Sequence, residues 1–354
     1  MGKSFTLRPL RPDDGPAVEA LEKQTPDTGL VGFYTRYHHD AYATRLALQP
    51  TVVGVVAEVP GHDGLAGMGV MTTGQCMVDD RVVPYAYLTG LSVHPDLRRR
   101  GIGSAIAAWR LETARSLLGD DVVVFAGIQG GNTASLRTAA TWMSQRLDGR
   151  LRVAVSPVRS RPPRRAEGFD VRLALAQDLE EVARRQNEFY AGFDLYPRKS
   201  ASDLQEWLAR RPFGQPINRY YLATNQQGAL LAGVGITLEG MLITNQVVRL
   251  PRILRLANAL LRLLPPDGQV RRANGHWPWF LPGQEWAAAH LWRSVLWLVR
   301  RQATLAMLFF DRLGPVARAI STPWYLPQGG GTLAVCSPEP LNPERPLYIN
   351  NMFE

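Results

Sequence analysis

Three arginines and two glycines, set between an apolar run and a helical pattern, carry the clearest chemistry in this sequence. Residues 85–106 read YAYLTGLSVHPDLRRRGIGSAI. The opening Tyr, Thr, Leu and Val predict a strand. His94-Pro95-Asp96 ends it, and a helical pattern begins at Ser104. Glycines let a backbone approach an anion closely, amide N–H groups point at it, and a helix N-terminus adds partial positive charge. The chemistry offered is therefore a grip on phosphate. The spacing Arg98-x-x-Gly101-x-Gly103 is not a Walker loop, because no Gly-Lys-Ser/Thr follows. It also lacks the three glycines of the dinucleotide fingerprint.

The elements around this loop follow from the same kind of reading. Residues 5–9 predict a short strand, and Asp13 or Asp14 can cap the next helix, striped by Val18 and Leu21. A second helical piece is expected over 34–48. A β-rich run at 51–58, the turn at 60–64 and a glycine-rich strand at 65–74 lead through Asp79-Asp80 into the strand before the loop. After the loop, 104–118 predict a helix closed by Gly119, and 122–126 a buried strand. Gly130-Gly131-Asn132-Thr133-Ala134-Ser135 then places Asn132 where it can cap a further helix.

With these residues in place, the chain resembles the GNAT N-acetyltransferases. That family carries Arg/Gln-x-x-Gly-x-Gly/Ala after a strand ending in Val-x-Pro. Val93-His94-Pro95 and Arg98-x-x-Gly101-Ile102-Gly103 match it, and Asn132-x-x-Ser135 resembles the family's second element. The resemblance implies an acetyl-CoA cofactor held by Leu91, Ser92, Val93, Arg98, Arg99, Arg100, Gly101, Ile102, Gly103 and Ser104, with Asn132 and Ser135 at the pantetheine arm. It implies direct acetyl transfer to the primary amine of a small molecule or peptide, with the Val93 N–H polarising the thioester. Two positions depart from the family. Ala139 stands where many members have a tyrosine that protonates the leaving thiolate, and Tyr87 where many have a glutamate base. The base is left open among Tyr87, Thr89 through water, His38, His39 and Glu58. Tyr34 and Tyr37 can line an acceptor pocket or simply pack. The same departures suit an alternative, a non-catalytic CoA-binding sensor or interaction protein.

Length and composition frame this expectation. The chain has 354 residues, enough for two ordinary domains. Its 2 cysteines lack metal-ligand spacing, so neither a disulfide framework nor a metal is expected. The net charge of +9 is carried mostly by arginine; it favours anions, but no aromatic interleaving points to nucleic acid. No integral membrane segment and no secretory leader are expected, which gives a cytoplasmic assignment; a homodimer is an allowed assembly.

The second half repeats the order of the first. A strand at 169–174 and a helix from Ala176-Gln177-Asp178-Leu179 echo the opening, and strands are expected at 219–225, 230–238, 332–336 and 346–350. The fold class is therefore mixed α/β (α+β), with two tandem GNAT-like domains. Each is expected as a twisted, mixed, mostly antiparallel sheet flanked by helices. The domains read as 1–157, catalytic and CoA-binding; 158–168, a Pro/Arg-rich linker; and 169–354, a degenerate copy. In that copy Phe280-Leu281-Pro282-Gly283-Gln284-Glu285 replaces the phosphate loop. A basic, amphipathic helix is expected over 249–264, and Glu354 stands as a speculative terminal carboxylate at the site.

Overall fold

The computed structural model of the chain describes residues 5–26, 32–164, 168–252, 255, 258, 264–320 and 329–350. Most of helix 249–264 and Glu354 lie outside the described residues. The first half runs β1 (Thr6–Pro9), α1 (Gly15–Gln24), β2 (Gly32–Tyr37), α2 (Ala41–Leu48), β3 (Val52–Glu58), β4 (Gly67–Val78) and β5 (Arg81–Val93). It continues with α3 (Ile102–Leu118), β6 (Val123–Gln129), α4 (Thr133–Ala139) and β7 (Gln145–Pro157). The second half runs β8 (Phe169–Leu173), α5 (Leu179–Phe189), α6 (Ala201–Ala209), β9 (Asn218–Asn225), β10 (Leu230–Thr237) and β11 (Ile243–Arg249). It ends with β12 (Gln269–Val270), β13 (Arg272–Phe280), α7 (Glu285–Leu298), β14 (Leu305–Asp311), α8 (Val316–Ala319) and β15 (Gly329–Cys336).

The two GNAT-like sheets are continuous. Twelve strands pair in the order β1-β3-β4-β5-β6-β15-β7-β14-β13-β10-β9-β8. In each half one parallel pair, β5 with β6 and β13 with β14, interrupts an otherwise antiparallel ladder. The final strands are exchanged. β7, from the first half, pairs with β14, while β15, from the second, pairs with β6. The core follows this plan: Leu147, Leu151, Val153, Phe309, Leu333 and Val335 pack in one cluster drawn from both halves.

The repeat extends to single side chains. Arg8 in β1 grips Asp14 through Nη1 and Nη2, each at 2.7 Å, and Asp14 also accepts the Arg11 N–H. Arg172 in β8 grips Asp178, which likewise accepts the Leu175 N–H. Each pair ties a strand end to the entry of the next helix. The hydrogen bonds from Arg8 and Arg172 hold both carboxyls below the usual carboxylate range. A depressed folded pKa contributes stability that is present above about pH 4 and lost as pH falls through the folded value. Asp14→Asn with Asp178→Asn is expected to lower the urea midpoint at neutral pH and to reduce its further fall at pH 3. An unchanged fall between the two pH values would contradict this.

Two segments differ from the sequence expectation. Residues 34–37 belong to β2 rather than to a helix, because β2 pairs with β11 of the second half, in register Ile243↔Tyr37 through Val247↔Phe33. Residues 346–350 form no strand; they make a single bridge, Asp194 to Leu347. No helix among the described residues is long and apolar enough to cross a membrane.

Candidate active site

The site begins where β5 and β6 part. Their parallel pairing runs from Tyr85↔Val123 to Tyr87↔Phe125. Beyond it β5 is displaced by a bulge, since Met68 pairs with Ser92 but Val70 with Thr89. Gly90, at φ +60°, takes up the extra residue in a region that favours glycine. The strands splay, and a groove of about 710 Å³ opens between 88–93 and 126–129.

The Arg/Gly loop closes one end of this groove. Arg99 at φ +64° and Gly101 at φ +81° turn the chain so that Gly101 caps α3. The first N–H groups of an α-helix have no partners within it, and Ile102, Gly103 and Ser104, which open α3, line the groove. Arg98, Arg99, Gly101, Ile102, Gly103 and Ser104 line the groove, as do Leu91, Ser92 and Val93. Arg100 is exposed and is not among the lining residues. Asn132 and Ser135 line it from α4, where Asn132 Oδ1 also accepts the Ser135 N–H at 3.0 Å. Capping thus occupies the Asn132 carbonyl oxygen, and its amide NH₂ is the part that a ligand can use.

The proposed proton-transfer residues separate in space. Thr89 lines the groove, and its hydroxyl is buried without a hydrogen-bond partner. Tyr87 is 7% exposed and packs on Phe125 in the core cluster shared by both halves, away from the groove lining. His38 uses both ring nitrogens, one to the Met241 carbonyl at 2.9 Å and one to the Thr244 hydroxyl at 2.8 Å. It therefore joins β2's end to the second half and does not line the groove. His39 stacks on Phe213, and Glu58 pairs with Arg8. Tyr34 and Tyr37 both line the groove, and Ala139 lines it where a tyrosine would stand in the family pattern.

Sequence reasoning missed Glu22. Among the described residues it is the one carboxylate lining the groove. Tyr37 donates its hydroxyl to Glu22 at 2.7 Å, and Arg45 pairs with the other carboxylate oxygen. Desolvation pushes the Tyr37 hydroxyl well above its ordinary pKa, so it remains a donor. The packing of α1 on α2 brings the three together. Asp40 caps α2 through the Ala43 N–H, and a Cβ at Gly15 would lie 1.8 Å from Asp40 Oδ2. A side chain at position 15 would displace the Asp40 carboxylate from this cap. The second half adds Ile243, Asn245 and Arg272 to the lining. Asn245 is 3% exposed, and neither amide atom has a hydrogen-bond partner. Nothing in the local sequence around Glu22 or Asn245 marks them, since both reach the groove through contacts distant in the chain.

Residues 17–141 match the sequence profile of the Acetyltransferase (GNAT) family. The match lies within the first half of the chain. No curated protein matches the chain in sequence. Among solved structures, a tandem GNAT protein from the clavulanic acid biosynthesis pathway aligns at TM-score 0.57 and 14% identity, over 96% of this chain and 100% of that one. A GCN5-related N-acetyltransferase from Sphaerobacter thermophilus aligns at TM-score 0.58 and 13% identity, over 97% and 99%. Saccharomyces cerevisiae N-myristoyltransferase with bound myristoyl-CoA aligns at TM-score 0.60 and 11% identity, over 94% and 78%. In fold the chain resembles a tandem GNAT protein, and residues 17–141, matched by the profile, include the loop 98–103 and Asn132.

Proposed function

We propose that this protein is an acyl-CoA-dependent N-acyltransferase that moves an acyl group directly to a primary amine. One observation carries the reading. The forked strands, the bulge at Gly90, the Arg98–Gly103 loop apart from Arg100, and Asn132 all line one groove. The groove suits a CoA thioester, with pyrophosphate at the α3 N-terminus, pantetheine between β5 and β6, and the thioester at the bulge. Acetyl is the smallest acyl group it would take.

The acceptor approaches from the side of α1, α2 and β2. Glu22 is the group there that can hold an ammonium and take its proton. The amine nitrogen attacks the thioester carbon, the C–N bond forms, the C–S bond breaks, and CoA leaves as the thiolate. Ser135 and Thr138 are hydroxyls lining the groove near Ala139. The catalytic unit comprises 1–157 together with the exchanged strand β15, and 169–320 supplies one acceptor wall through Asn245 and Arg272. The counterpart segment 280–285 lacks the arginines and the second glycine of the first loop, so it is assigned no CoA.

Replacing Arg98 with Glu and Gly101 with Asp puts two negative charges at the phosphate end. CoA affinity by calorimetry is expected to fall by roughly 10–100-fold, the range for charge-assisted hydrogen bonds. Unchanged affinity would sink the site assignment. Ala139 and the core position of Tyr87 favour the second reading, a CoA sensor. CoA binding with no thiol release across a panel of amines would establish that reading instead.

A further inference from the structure

The proposed function does not use Arg110. It lies on α3, 3% exposed, and lines the groove. Nη1 donates to the carbonyls of Val70 and Thr89, each at 3.0 Å, and Nε is buried without a partner. No carboxylate pairs with it among the described residues; the ion pairs near the groove are Glu22 with Arg45 and Glu239 with Arg272. α3 packs closely here: a Cβ at Gly69 would lie 2.6 Å from Ile106 Cγ2 and 3.1 Å from Arg110 Cζ. A buried cation that meets only neutral carbonyls is poorly compensated, and it faces a ligand groove. Burial lowers its pKa to about 10, so it still carries its charge at neutral pH.

Two placements narrow what anion it meets. Arg110 lies seven residues beyond Gly103, about 10 Å along the helix, so it is too deep to share the pyrophosphate. It also lies on the α3 face of the sheet, where Ile102 and Ile106 pack on Ala57 and Ala66. Glu22, Arg45 and Tyr37 belong to the opposite face, where α1 packs on Val56, Met68 and Val70. Arg110 therefore reaches the groove from the α3 face of the sheet, and Glu22 from the α1 face.

We propose that Arg110 selects the donor, which is a CoA thioester whose acyl chain ends in a carboxylate, of the malonyl or succinyl kind. The carboxylate pairs with the guanidinium and takes no part in bond making. The acyl carbon still moves from sulfur to the amine nitrogen, one proton leaves the amine, and free CoA is released. The inference rests on the CoA-groove reading, and the test separates the two.

Calorimetry on the full chain with CoA, acetyl-CoA and succinyl-CoA decides it. Succinyl-CoA is expected to bind the wild-type protein at least about tenfold more tightly than acetyl-CoA. Arg110→Met is expected to abolish that preference while CoA and acetyl-CoA affinities stay within about twofold, and Arg110→Lys to retain part of it. Absence of CoA binding would overturn the groove reading itself. CoA binding with equal affinities for the two thioesters, or an acetyl preference, would overturn the donor assignment alone. So would an equal loss of all three ligands in a folded Arg110→Met protein. If that variant does not fold, the wild-type ratio decides.

Discussion

Glu22→Gln is expected to lower kcat by about 10²–10⁴-fold, the range for loss of a positioned acid–base group, with CoA affinity unchanged. The argument is geometric. Glu22 is the one carboxylate lining the groove among the described residues, and Tyr37 and Arg45 fix both of its oxygens. Glutamine keeps the shape and can still accept from Tyr37, but it cannot accept a proton or neutralise an ammonium. It also leaves Arg45, with only 14% of its side chain exposed, without its carboxylate. Tyr37→Phe removes one hydrogen bond and keeps the carboxylate, so a smaller loss is expected, carried by kcat. Thiol release with an amine that the wild-type protein acylates gives the rate, and calorimetry gives the CoA affinity. A Glu22→Gln enzyme with more than a third of the wild-type kcat would remove Glu22 from the chemistry. Parallel loss of CoA affinity would make its role structural.

Arg150→Ala is expected to destabilise the fold by about 3–5 kcal/mol, the cost of leaving a buried charge unpaired. Arg150 on β7 pairs with Asp311 at the end of β14, with Nε to Oδ1 at 2.8 Å. Arg150 and Asp311 are 5% and 2% exposed. The guanidinium also donates to the carbonyls of Pro343 and Arg345, each at 2.7 Å, and Asp311 accepts the Leu347 N–H at 2.7 Å. One pair thus joins the first half's exchanged strand, the second half's parallel strand and the segment beyond β15. Removing the arginine leaves a buried carboxylate without its counter-charge. Arg150→Lys keeps a charge but not the fork, so an intermediate loss is expected. Urea denaturation measures both. A loss under 1 kcal/mol for Arg150→Ala would show that packing alone holds the exchanged strands.

The exchange itself explains which parts of the fold the sequence could announce. The strand before Arg98, the turn at Gly101 and the helix that follows are local signals: alternating apolar residues, positive-φ glycine and a free helix N-terminus. They were legible without any tertiary contact, and so was the Asn132 cap. The bulge at Gly90 left only a glycine in a strand, a weak mark until β4 was seen to slip register against β5. Residues 34–37 read as the start of the helix expected over 34–48. Pairing with β11, more than 200 residues away, made them a strand.

By itself the sequence determined the Arg/Gly turn at 98–103, the alternation of strands and helices in two copies, and the absence of that turn from the second. These depend on neighbours a few residues apart, through backbone dihedrals and apolar periodicity. Only the tertiary structure decided what lines the groove. It withdrew Tyr87 into the shared core and His38 into a bridge to the second half. It brought forward Glu22, Asn245 and Arg110, from α1, a strand of the other copy and α3. Their meeting depends on sheet register and on which helix covers which face, and that information is spread over the whole chain.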